Sequence, residues 1–109
     1  MDEQAFRRAV EHSLEQLKVS LYDAEEDGGY EVEERGGALQ MAFDDPAGVF
    51  VISPNAPVQQ VWISALSTSF KLDWSDSAKD FVLAKTGEAL KPLVSRLISE
   101  QSGKVIRLA

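Results

Sequence analysis

Apolar side chains recur through residues 4–24 at Phe6, Val10, Leu14, Leu17 and Leu21, at spacings of four, four, three and four. That period predicts one amphipathic helix with a single buried stripe. At about 100° per residue, Glu11, Glu15, Tyr22 and Glu26 fall on the polar flank beside the stripe, and Asp23 lies further round toward solvent. Gly28-Gly29 is expected to end the helix, because glycine accepts the left-handed conformation that closes a last turn.

The period then changes from helical to two. Tyr30 and Val32 alternate with Glu31 and Glu33, Gly36-Gly37 makes a turn, and Leu39, Met41 and Phe43 alternate with Ala38, Gln40 and Ala42, which reads as a β-hairpin. After a turn at Asp44 to Gly48, the run Val49-Phe50-Val51-Ile52 predicts a strand but is too uniformly apolar to show which residues face inward. Pro54 and Pro57 bracket another turn, Gln60 to Ser64 and Ser69 to Trp74 read as strands, and Phe81-Val82-Leu83 suggests a short edge strand. Leu90, Leu93, Val94, Leu97 and Ile98 return to helical spacing up to Ser102-Gly103. Pro92 sets where that helix begins: proline fits a first turn but costs about 3 kcal/mol or more deeper in, which puts the start near Glu88 or Ala89. Val105, Ile106 and Leu108 in the tail are expected to fold back over the seam between the helices.

A helix, five or six consecutive strands and a second helix predict an α+β fold. Strands joined by short turns pair antiparallel, and two helices with one apolar stripe each must cover the same sheet face. The expectation is a two-layer α/β sandwich in a single domain, residues 1–109, with the other sheet face open to solvent.

Charge adds a second asymmetry. Residues 1–45 hold thirteen acidic against four basic residues and residues 46–109 hold five against seven, which together give the net charge of −7. That balance repels phosphate backbones and argues against nucleic acid as a partner; cations or basic protein surfaces are favoured. An acidic surface that only confers solubility is the plainer reading of composition alone. With no cysteine, disulfides, thiolate metal sites and thiol nucleophiles are excluded, so a metal must be held by oxygen or by His12, a lone imidazole expected at the surface. Apolar runs too short for a membrane span, and a start without signal or transit character, lead to the expectation of a soluble chain that stays where it is made. No Ser/His/Asp spacing, phosphate-binding glycine loop or paired His ligands is present.

At this point the chain resembles the frataxin family. The similarity covers nearly its whole length: the acidic first helix, YEVEERGGALQMAF, VFVIS, PNAPVQQVWIS, KLDW and TGEALKPLVSRL. The most specific piece is residues 53–64, which is similar to the family's Asn-x-Gln-x-Pro followed by Gln-x-Trp-Leu-Ser, with Pro57, Gln60, Trp62 and Ser64 matching. Ser53, Asn55 and Ile63 depart from it, standing where the family usually has Asn, Gln and Leu. The resemblance implies an iron-binding protein that docks on the cysteine desulfurase and iron–sulfur scaffold complex and modulates cluster assembly, as a monomer in a bacterial cytoplasm. A mitochondrial matrix location would follow only if a transit peptide had been removed. It further implies Fe²⁺ or Fe³⁺ held weakly by surface carboxylates, matched here by Asp23, Glu25, Asp27 and Glu31 with Glu11, Glu15 and Glu26 adding charge nearby. Lys18 and Val19 stand where bacterial members often have paired Glu, and interrupt that ridge.

The period of two gives the partner surface. With Val61 and Ile63 facing the helices, Gln60, Trp62 and Ser64 lie on the open face, and Asn55 belongs to the same recognition segment. An aromatic among amides has the composition of a binding hot spot; the alternative is a tryptophan that only shields sheet backbone. Trp74, in phase with Phe70 and Leu72, is expected in the core. The only enzymatic activity the resemblance suggests is slow oxidation of Fe²⁺. A different class of function stays open, in which the acidic face and Trp62 form a metal-independent adaptor for a basic partner.

Overall fold

A computed structural model describes residues 1–109. Helix α1 spans Glu3–Asp23, with the Asp2 carboxylate accepting from the Ala5 N–H at 2.7 Å as N-cap, and Phe6, Val10, Leu14, Leu17 and Leu21 buried as the spacing requires. It does not run unbroken to the glycines. Ala24 leaves helical geometry at φ −101°, ψ 4°, and a separate turn, α2 (Glu25–Gly28), follows, closed by Gly29 at φ 70°. Gly28 is needed for packing, since a Cβ there would run into the Tyr30 ring.

Six strands follow: β1 (Tyr30–Arg35), β2 (Ala38–Asp44), β3 (Ala47–Asn55), β4 (Gln60–Ala65), β5 (Thr68–Ser75) and β6 (Asp80–Val82). Each pairs antiparallel with the next, in the spatial order β1 to β6. Register settles β3: Phe50 and Ile52 are buried, while Val49 and Val51 take the open face. Pro54 is strand rather than turn. Because β2 begins only at Ala38, with Leu39 opposite Ile52, β3 has run past the end of β2 at Pro54 and its missing N–H costs no ladder bond there. The turn is a single 3₁₀ turn, Ala56–Val58, holding Pro57.

Helix α3 (Leu90–Ser102) starts just past the expected point, with Ala89 as N-cap, which leaves Pro92 in the first turn; it ends at Gly103, φ 74°. Both long helices lie on one sheet face, and 23 buried residues from helices, sheet and tail make one core that contains no acidic side chain. The tail returns over the seam at Ile106 and Leu108, while Val105, expected to join them, stays exposed. Ile106 is buried, Ser99 and Ser95 on α3 bind its backbone at Ile106 and Leu108, and Ser20 on α1 and Lys91 on α3 both donate to the Ala109 oxygen at 2.8 Å. Trp74 faces the helices but is only half-buried, packed edge-on against Phe81 (centroids 5.2 Å apart). Its indole N–H needs a partner and finds Asp76 at 3.0 Å, which holds the ring at the margin of the core. No helix is long and apolar enough to cross a membrane.

Candidate metal and partner surfaces

The end of α1, the turn α2 and the start of β1 place Asp23, Glu25, Glu26, Asp27 and Glu31 within nine residues of chain. Acids belong here for a local reason and against a local cost. Glu25, Glu26 and Asp27 open α2, but the same group lies at the C-terminal end of α1, where the helix dipole disfavours negative charge and no basic residue occupies the last turn. Asp23, Glu26, Asp27 and Glu31 are exposed; Glu25 is half-buried. One Glu25 oxygen accepts the Val32 N–H at 2.7 Å, so this carboxylate fastens the turn to β1. Its charge, together with burial as the larger cause, pushes the Tyr30 hydroxyl well above the usual tyrosine range.

Glu11 and Glu15 do not join that group. They sit about three and two turns further back on α1, Glu11 about 18 Å from Asp23 along the axis. Glu15 pairs with Lys18 at 3.0 Å, and Lys18 also reaches Glu34 on β1 at 3.7 Å, so the hydrogen bond to Glu15 and the two negative charges raise the lysine's pKa. Nowhere do three His, Asp or Glu side chains close on one point as a preformed metal cage. The free carboxylates form an open ridge of hard oxygen donors, suited to a cation that keeps much of its water. His12 is exposed beside a small polar cleft containing Lys79, Asp80 and Lys91, away from the ridge.

On the open sheet face, register builds a second surface around Trp62. Ser53, Trp62 and Lys71 lie abreast on β3, β4 and β5, and Asn55, Gln60 and Asp73 form the next row. The Trp62 indole N–H donates to Gln60 Oε1 at 2.8 Å, and Gln60 Nε2 donates to Asp73 Oδ1 at 3.0 Å, which fixes the ring through a relay of two hydrogen bonds. Lys71 Nζ stands 4.8 Å from the ring centroid, a cation over an aromatic face. Ser64 is exposed, and Asn55 half-buried at the strand end. A shallow groove of about 300 Å³ runs beside the ring between Val51, Ser64 and Ser69. Lys71 and Asp73 were not singled out from the sequence, although the strand period that put Trp62 outside puts them on the same face.

Comparison with known proteins bears on the whole chain. A family model described as "Frataxin-like domain" matches residues 1–104. A protein of Ralstonia pickettii named "Iron-sulfur cluster assembly protein CyaY" is 30% identical over 111 residues, covering 100% of this chain and 96% of its own length. One of the same name from Janthinobacterium sp. is 27% identical over 105 residues, covering 94% of this chain and 92% of its own. Among solved structures, a frataxin from Psychromonas ingrahamii superposes with a TM-score of 0.83 at 16% identity, covering 100% of this chain and 99% of the other. Yeast frataxin gives 0.70 at 20% identity, with 90% and 80% covered. At those identities the two structures speak for the fold.

Proposed function

The chain belongs to the frataxin-like domain family, and from that premise we propose that it takes part in iron–sulfur cluster assembly by docking on a cysteine desulfurase and its scaffold protein and by carrying or sensing iron. The names of its bacterial relatives support the pathway. The observation that carries the partner assignment is Trp62: a large aromatic held on the uncovered face by Gln60 and Asp73, in a fixed orientation before any partner arrives. A pre-set aromatic loses little side-chain freedom on binding, which is what a hot spot requires.

Iron is assigned to the acidic ridge, with Asp23, Glu26, Asp27 and Glu31 as the free donors. Glu25 is a weaker candidate because one of its oxygens is engaged, and Glu11 and Glu15 act only through their field. A ridge without a cage binds weakly and releases readily, which suits cargo in transit. The same openness favours the alternative reading, a metal-independent adaptor whose acidic ridge meets a basic partner.

Surface-immobilised desulfurase–scaffold complex, probed with the wild type and two variants, tests the assignment. Trp62→Ala should lose about 2 kcal/mol, roughly thirtyfold in affinity, through faster dissociation. Asp23→Asn/Asp27→Asn should associate more slowly with a shallower response to salt. An unchanged dissociation rate for Trp62→Ala refutes the docking role of this face.

A further inference from the structure

A groove of about 400 Å³ runs between the N-terminal half of α1 and the turns at the adjoining end of the sheet. Its floor is apolar: Phe6, Val10 and Leu14 present the edges of the α1 stripe, facing Pro54 and Ala56 at the β3–β4 connection. Along the rim stand Glu3, Glu11, Glu15 and Glu34, against a single Arg7. Glu3 pairs with Arg7 at 3.4 Å and Lys18 is shared by Glu15 and Glu34, while Glu11 has no cation within the chain. We infer that this groove is a docking slot for a segment of another protein that carries Lys or Arg side chains around an aliphatic or aromatic anchor.

Length, charge and floor each narrow the occupant. From Glu3 to Glu15 the groove follows α1 for about 18 Å, room for five or six residues of extended chain at about 3.3 Å each; a compact amine would leave most of it empty. A second copy of this chain brings a net charge of −7 and so meets like charge at the rim. The apolar floor supplies what the rim cannot. Exposed charges attract any basic surface and are screened within about 8 Å at physiological ionic strength, whereas an anchor laid on Phe6, Val10 and Leu14 is selected by shape. The slot has no residue in common with the Trp62 face, and its binding needs no iron, so it goes beyond the function proposed above.

The probe is an acetylated, amidated hexapeptide of alternating Lys and Leu, titrated into the ¹⁵N-labelled full chain and followed by NMR without metal or partner. Shifts are expected at Phe6, Val10, Leu14 and Ala56. A Lys–Ser peptide should bind at least tenfold more weakly and a Glu–Leu peptide should not bind. Ala56→Trp, at an exposed position, should fill the slot and cut affinity at least tenfold with an unchanged melting temperature. Glu11→Gln, on the exposed helix face, should cut it about threefold and flatten its salt dependence. Equal binding of the Lys–Ser peptide would reduce the groove to its charge field and overturn the inference. So would equal shifts from hexylamine, shifts confined to residues 23–31 or to the Trp62 face, or self-association that moves the same groove resonances.

Discussion

Tyr30 ties the start of the sheet to the end of α1, its hydroxyl donating to the Leu21 carbonyl at 2.5 Å from a buried position. Burial and the Glu25 charge hold its pKa above the unfolded value of about 10. The proton is therefore bound more tightly in the folded state, so the stabilisation is complete below about pH 10 and is lost as pH rises toward the raised folded pKa. Tyr30→Phe should cost about 1 kcal/mol at pH 7 and should lose less stability than the wild type between pH 9.5 and 11.5; urea melts across that range check both. The two tryptophans separate in the same way. Trp74→Ala should cost about 2–3 kcal/mol, below the 3–5 of a fully enclosed ring, while Trp62→Ala should leave the melting temperature within a few degrees of wild type. Periodicity made the faces of both legible. The half-exposure of Trp74 was not legible, because it follows from an indole N–H seeking Asp76 in the next turn, and side-chain hydrogen bonds have no period. Glu25 is the same kind of miss: nothing in the string of acids marks the one that turns inward to the Val32 N–H.

At the scale of elements, α2 separates structure from cargo. Glu25→Ala should cost about 1–2 kcal/mol by leaving the Val32 N–H without its charged acceptor, and Glu25→Gln should recover most of that. Asp23→Asn/Asp27→Asn should leave stability unchanged or raise it, since fewer negative charges then sit at the C-terminal end of α1. Anaerobic Fe²⁺ should broaden the amides of Asp23, Glu26, Asp27 and Glu31 in the wild type, far less in the double amide variant, and leave the Trp62 face sharp. Broadening that survives the double substitution moves the site; no broadening at all favours the metal-independent adaptor. The helices and strands themselves were readable because each buries one face, and one buried face imposes one period. Their ends were less so: the break at Ala24 goes with a Leu21 carbonyl that accepts from the Tyr30 hydroxyl, and the extension of β3 through Pro54 goes with the late start of β2 at Ala38, both set by neighbours across space.

Across the whole molecule, the core and the acidic surface are built from different residues, and the proposed iron and desulfurase–scaffold roles use only the surface. The chain should therefore unfold cooperatively without metal, and Fe²⁺ at 100 times Kd should add about 2.7 kcal/mol if the unfolded chain does not bind it. The charge asymmetry was visible in the sequence as acids crowded into residues 1–45; folding gathers most of them on α1, α2 and the edge strand β1, three strands away from Trp62 on β4. The account rests on that pair of surfaces acting on cluster assembly. Its most direct test is the initial rate of cluster formation on a purified scaffold by its cysteine desulfurase, with Fe²⁺ and a sulfur source, as this chain is titrated in. The account predicts a saturable change in rate, in one direction, that Trp62→Ala shifts to about thirtyfold higher concentration. A rate that does not respond to the chain at any concentration, or a response identical for Trp62→Ala, contradicts it.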